Sequence, residues 1–329
     1  MLSRREFLQS SLAASAALAA SPALAAEDPR SLIVDCHQHL WDLSKQTMPW
    51  LKGAPDILNR TYHLKEYAEA TQGLNIRSLY MEIDIARDEL AEEAKHVIGL
   101  AQDKQSNMLA AVIGGSPDGP SDKFPGLIGP FLDSPYVKGI RRVLHSDATP
   151  KGTCLEKSFV KNIQTLGKHK LSFDLCMRPT ELGDAAKLTE ECPETRFILD
   201  HCGNADPRAF DPKLDPNTPP KHTANEWKAG IDQLAKRPNV ICKISGVIAF
   251  LPAGADAATA LAPIIDHCLG AFGPDRVVFG SDWPVCLLGS SLQGWVKALT
   301  QIISARPAAA QRKLWSENAI RHYGLKIDA

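Results

Sequence analysis

The chain is expected to fold as a single α/β domain, a closed (β/α)₈ barrel of the TIM type, on three observations. Eight short apolar runs alternate with stretches of helical composition. Beyond the first 30 residues the chain has roughly 300 left, a span that suits eight closed βα units better than two separate domains. No GxGxxG follows the first run, which weakens the alternative of an open dinucleotide-binding sheet.

The first run, Leu32 to Cys36, leads into Asp35-Cys36-His37-Gln38-His39. Residues two apart in a strand share a face, so Asp35, His37 and His39 are expected to project together. Metal binding and proton transfer both need such convergence. The loop from Trp41 to Tyr62 carries Met48, Pro49 and Trp50; its aromatics either wall a pocket above the barrel mouth or pack on neighbouring helices.

The second run, Arg77 to Ile83, brings Glu82 and Asp84 to the same end. Asp88 to Gln102 follows with Leu90, Ala94, Val97 and Leu100 or Ala101 near helical spacing. The third run is Met108 to Ile113, and the fourth, Lys138 to Leu144, presents Arg141, Arg142 and His145 before a helical stretch from Ser158 to Lys168. The fifth, Leu171 to Met177, ends at Arg178; the sixth, Thr195 to Leu199, ends at Asp200 and His201.

Asp206 to His222 then carries five prolines and no periodicity, a long loop of the size that often serves as a lid. The seventh run, Val240 to Ile244, holds Lys243 and is followed by Ser245; this lysine either contacts substrate or sits in an internal ion pair. The eighth, Arg276 to Phe279, precedes Gly280-Ser281-Asp282-Trp283. Closure sets the last strand against the first, so Asp282 should approach His37 and His39 at the C-terminal mouth. His63, His96, His169, His222, His267 and His322 fall in helix or loop settings and read as surface or packing residues.

Residues 1–26 stand apart as a twin-arginine signal peptide. Ser3-Arg4-Arg5-Glu6-Phe7-Leu8 precedes an Ala-rich run and the small-residue pattern Ala23-Leu24-Ala25. The run is too short and too rich in Ala and Ser to span a membrane. The mature protein, with its barrel over residues 31–325, is therefore expected in the periplasm and off the membrane. A net charge of −1 and a pI near 6.8 provide no basic footprint for nucleic acid, so the expected partner is a small-molecule substrate. The eight cysteines include no CxxC pair and lie mostly in or beside apolar runs, reading as small buried hydrophobes rather than a zinc cluster.

The motifs Asp35-Cys36-His37-Gln38-His39-Leu40-Trp41-Asp42, Lys138-Gly139-Ile140-Arg141, Leu199-Asp200-His201-Cys202-Gly203, Cys242-Lys243-Ile244-Ser245-Gly246 and Phe279-Gly280-Ser281-Asp282-Trp283-Pro284 together resemble the amidohydrolase superfamily. The nearest branch is the amidohydrolase 2 group of sugar lactonases and pyrone-dicarboxylate hydrolases, and the resemblance runs from about Leu32 to Tyr323. It implies a distorted (β/α)₈ barrel and a lactonase-like hydrolase that opens a lactone, sugar-derived, or a related cyclic ester. By the same resemblance His37 and His39 form the strand-one HxH, His201 is the strand-six histidine, Asp282 the strand-eight aspartate, and Arg141 the strand-four arginine that grips substrate.

Many metal-dependent members also carry a strand-five histidine, where this chain has Cys176, Met177 and Arg178, which limits the site to one metal. Two chemistries follow. A single divalent ion such as Zn²⁺ on His37, His39 and Asp282, with Glu82 as a further ligand candidate, would lower the pKa of its water. Alternatively Asp282 deprotonates water without a metal while His201 and Arg141 stabilise the oxyanion. Glu82, Arg178, His145 and Trp41 complete the candidate substrate-binding set. The rivals are a decarboxylase of aromatic or muconate-type acids, since similar barrels catalyse that reaction, and a catalytically silent sugar-binding barrel.

Overall fold

A computed structural model describes residues 31–327; the signal-peptide reading of residues 1–26 lies outside them. Eight parallel strands run in the order of the chain, each hydrogen-bonded to the next. They are β1 Ile33–Gln38, β2 Ile76–Met81, β3 Met108–Gly114, β4 Val137–Val143, β5 Ser172–Cys176, β6 Arg196–Leu199, β7 Val240–Ile244 and β8 Val277–Phe279. Every apolar run of the sequence is a strand, displaced by two residues at most. A helix follows each: α1 Leu64–Ala70, α2 Leu90–Gln102, α3 Phe124–Ile128, α4 Lys157–Lys168, α5 Leu182–Glu191, α6 Ala224–Ala235, α7 Ala257–Phe272 and α8 Leu292–Ile303. This is a single-domain (β/α)₈ barrel.

The seam between β8 and β1 is short and lies at the mouth. Asp282 N donates to His37 O at 2.8 Å and His39 N to Trp283 O at 2.8 Å. Lower down, the Asp35 carboxylate accepts from Ser281 N at 2.7 Å and Ser281 Oγ at 2.5 Å, and from the Tyr67 hydroxyl of α1 at 2.9 Å. At the opposite end of the barrel the C-terminal tail closes the interior: Ala319, Tyr323 and Leu325 pack with Val34, Leu79, Ala110, Ile198, Ile241 and Val278. Among the described residues the barrel is thus filled from below.

One expectation about β1 is corrected. Its pairing with β2 shifts register between Asp35 and Gln38, which breaks strict alternation. Cys36 belongs to the inner cluster, and the Asp35 carboxylate is spent on the seam instead of joining the two histidines.

Candidate active site

At the mouth, His39 Nδ1 lies 2.9 Å from the carbonyl oxygen of Met81. A carbonyl only accepts, so Nδ1 carries the hydrogen and Nε2 turns a lone pair toward Asp282 Oδ1, 3.2 Å away. Two acceptors at that distance repel unless a proton or a cation lies between them. Asp282 reaches this position through a left-handed backbone conformation, φ 57°, at the turn that closes the barrel. The same oxygen stands 3.6 Å from His37 Nε2.

His201 opens a run of four residues with positive φ, His201 54°, Cys202 51°, Gly203 68° and Asn204 54°. Only the glycine adopts this conformation without cost, so neighbours must impose it. Asn204 Nδ2 donates to Met177 O at 2.7 Å, Trp227 Nε1 to Cys202 O at 2.7 Å, and Gly203 N to Asp200 O at 2.8 Å. The His201 ring then meets Ser245 Oγ through Nδ1 at 2.9 Å. A Cβ on Gly246, itself at φ 68°, would lie 2.2 Å from that nitrogen, so glycine alone leaves room for the ring. Burial lowers the pKa of His201 and favours the neutral imidazole.

Beneath the mouth lies a closed ionic floor. Lys243 is fully buried, with Nζ 2.6 Å from Asp174 Oδ2, 2.8 Å from Asp200 Oδ1 and 3.2 Å from His37 Nδ1. Burial disfavours its charge, but the two carboxylates win and raise its pKa above the ordinary lysine value. Burial likewise opposes ionisation of Asp200, yet Lys243 and His37 hold it well below the ordinary aspartate value.

Arg141 Nε donates to Glu82 Oε1 at 2.6 Å, Nη2 to Glu82 O at 2.6 Å, and Nη1 approaches His37 Nε2 at 3.1 Å. A guanidinium only donates, so His37 Nε2 is the acceptor in that contact, while its Nδ1 stands between the Lys243 ammonium at 3.2 Å and Asp200 Oδ1 at 3.5 Å. Burial, reinforced by Lys243, keeps the His37 pKa well below the usual histidine value.

His39, Arg141, His145, His201 and Asp282 line one cavity of about 390 Å³ together with Trp50, Asp84, Cys176 and Phe250. A larger cavity of about 660 Å³ outside the barrel holds none of these groups, and chemistry therefore selects the smaller one. Three expected substrate contacts fall elsewhere. Trp41 is buried, its indole N–H bonded to Arg60 O and its ring packed edge-on against Trp50 and Tyr62, so it supports the wall that Trp50 forms. Glu82 stands behind Arg141 and orients it. Arg178 lies in an adjoining recess, bonded to Glu181 at 2.6 Å.

The donor atoms of His37, His201 and Asp282 lie within 4.8 Å of one another, so His201 joins the expected ligand set more closely than His39 does. Lys243 proves to be an internal ion-pair residue. Asp174, its partner, escaped the sequence reading, although an aspartate inside the apolar run Ser172-Phe173-Asp174-Leu175-Cys176 signals a buried cation opposite. All eight cysteines are free and buried. Cys202, Cys242 and Cys268 nevertheless converge with their sulfurs within 4.8 Å, a trio that spacing alone did not reveal because it spans three elements.

The amidohydrolase family model matches residues 34–325. An L-fucono-1,5-lactonase of Burkholderia multivorans is 27% identical over 90% of this chain and 97% of its own length. An L-rhamnono-gamma-lactonase of Scheffersomyces stipitis is 24% identical over 57% and 59%. Among solved structures, an amidohydrolase from Burkholderia multivorans superposes with a TM-score of 0.77 at 26% identity, covering 90% of this chain and all of that one, and another crystal form of it with bound zinc superposes at 0.75 with 25% identity and the same coverage. With its barrel, its polar mouth and a family match along nearly all the described residues, this chain belongs to the amidohydrolase family of hydrolases.

Proposed function

We propose that the protein opens a sugar-derived lactone by attack of water on the ring carbonyl. The observation that carries this reading is the Asp282 carboxylate, set beside His39 by the barrel seam and exposed to a cavity that neutral His201 and Arg141 also line. Asp282 takes the proton of the attacking water. Ser245 Oγ already accepts from His201 N at 3.3 Å, which frees its hydroxyl hydrogen for His201 Nδ1. Nε2–H is then left as a donor on the far edge of the ring. With a free N–H of Arg141 Nη2, it stabilises the oxyanion formed as the ring opens. The lactonases among the relatives support the substrate class.

The donor set also suits one divalent metal. His37, His201 and Asp282 would hold it through two imidazole nitrogens and a carboxylate, the His37 Nε2 lone pair turning from Arg141 to the ion, with His39 beside Asp282, a combination that fits Zn²⁺. When bound, the ion would supply a water of lowered pKa. His201 would then turn its lone pair rather than its hydrogen inward, with Ser245 accepting from Nδ1. Elemental analysis of purified protein should give no more than one equivalent; two would break this reading.

The deciding assay is a panel of aldonolactones followed by acid release, run beside CO₂ evolution from aromatic carboxylic acids. Ring opening supports the proposal. CO₂ release with all lactones intact makes the protein a decarboxylase, and tight sugar binding without turnover makes it a silent barrel. We also propose export through the twin-arginine pathway to the periplasm. Replacing Arg4 and Arg5 together by Lys should abolish it, and periplasmic protein that retains residues 1–26 would refute the cleavage.

A further inference from the structure

Past His145, Asn204 and Phe250 the mouth cavity is adjoined by a second recess of about 400 Å³ that shares these three residues as walls. The two chambers differ in charge. Lys151, Arg178, Arg208 and Lys221 face the recess against the carboxylates Asp147 and Asp206. Both arginines are already engaged: Arg208 grips Asp206 with Nε at 2.9 Å and Nη2 at 2.7 Å, and Arg178 is tied to Glu181 and to Thr149 O at 2.6 Å. Lys151 and Lys221 are exposed, and their ammonium groups make no hydrogen bond or ion pair within the described residues.

Neither lysine rides on a loose tip. Lys221 precedes His222, whose buried ring accepts from Asp206 N at 2.8 Å and so pins the two ends of the proline-rich loop together. Lys151 precedes Gly152, whose N–H bonds Glu181 Oε1 at 2.9 Å, the same carboxylate that fixes Arg178. Two ammonium groups, with only the Asp147 carboxylate left among the lining residues to oppose them, are thus anchored in a recess that shares walls with the cavity of the reacting groups.

We propose that this recess receives an anionic substituent, a carboxylate or a phosphate ester, at the end of the substrate remote from the lactone carbonyl. The inference rests on the lactonase reading for the fate of the ring and narrows the substrate class to acidic lactones rather than those of neutral sugars. The contact is made equally in the ground and transition states, so it acts on KM and not on kcat. Exposed charge pairs are individually weak and screened by salt, so two of them should yield about a tenfold preference at low ionic strength that fades in high salt.

The test compares a lactone of an aldaric acid with that of the matching aldonic acid, and separately titrates the protein calorimetrically with D-glucarate, D-gluconate and 6-phosphogluconate. Wild type should show about tenfold higher kcat/KM for the acidic lactone. Lys151→Gln combined with Lys221→Gln should erase the preference through KM while turnover of the neutral lactone stays unchanged. Tighter binding of glucarate or of 6-phosphogluconate than of gluconate identifies carboxylate or phosphate as the better fit. Equal kcat/KM for both lactones in wild type, or an undiminished preference in the double variant, overturns the proposal. If no lactone is opened but glucarate or 6-phosphogluconate still outbinds gluconate only in wild type, the anion recess stands and the lactonase reading falls.

Discussion

In the barrel floor Lys243 meets Asp174 at 2.6 Å and Asp200 at 2.8 Å, whereas at the mouth His39 faces Asp282 at 3.2 Å with lone pair toward carboxylate. Both regions are built from the same kinds of side chain, carried on the barrel strands or just beyond their ends. The floor matches its cations with carboxylates and is sealed from solvent. The mouth keeps His201, Asp282 and part of Arg141 turned toward an open cavity. Buried charges are tolerated only when paired, so the floor acts as a rigid base that orients His37 and Arg141, and reactivity is confined to the layer above it.

The comparison breaks most sharply at Asp282. Asp282→Asn keeps the size of the side chain and leaves the floor untouched, so kcat on the lactone identified by the panel should fall on the order of 10² to 10⁴, with the unfolding midpoint little changed. Near wild-type turnover by the folded variant would refute the role of the mouth.

Lys243→Met should show the opposite profile. It strands Asp174 and Asp200 in the interior, and removing one partner of such a set costs about 3–5 kcal/mol of stability. Urea unfolding reads this directly; a midpoint equal to wild type would mean that the floor bears no structural load.

Gly246→Ala probes the boundary between the layers. A Cβ 2.2 Å from His201 Nδ1 at φ 68° displaces the ring, and a misplacement of about 1 Å lowers the rate on the order of 10²-fold. Unaltered kcat would show that His201 need not hold this position.

The smallest effect lies behind the floor at Glu93, whose pKa burial and the Glu82 carboxylate push up to about 8. Its Oε1 accepts from the Tyr80 hydroxyl at 2.8 Å and Ile83 N at 3.0 Å, and Oε2 has no partner within the described residues. An acid with a raised folded pKa contributes stability that is complete below its unfolded value and is lost as pH rises through the folded one. Wild type should therefore weaken between about pH 4.5 and 8, and Glu93→Gln, neutral throughout, should gain on it over that interval. A constant difference between the two across this range would contradict the raised pKa.

Much of this architecture is legible in the chain itself. Strand and helix patterns depend on neighbours two to four residues apart, so the eight runs, the HxH pair, His201 and Asp282 at strand ends follow from local spacing, and eight alternating units leave few ways to bury their apolar faces other than a closed barrel. Closure even predicts that Asp282 meets His39 across 243 positions. The tertiary structure alone decided the partners. The register shift in β1 turned Asp35 to the seam, Trp41 became a support instead of a wall, and Lys243 found Asp174 and His37 at separations of 69 and 206 residues. It also wound His201 into a left-handed turn that no local preference would choose. The physical reason is that a side chain's direction is set by backbone periodicity, while its charge partner and its exposure depend on which distant strands the barrel brings within a few ångströms.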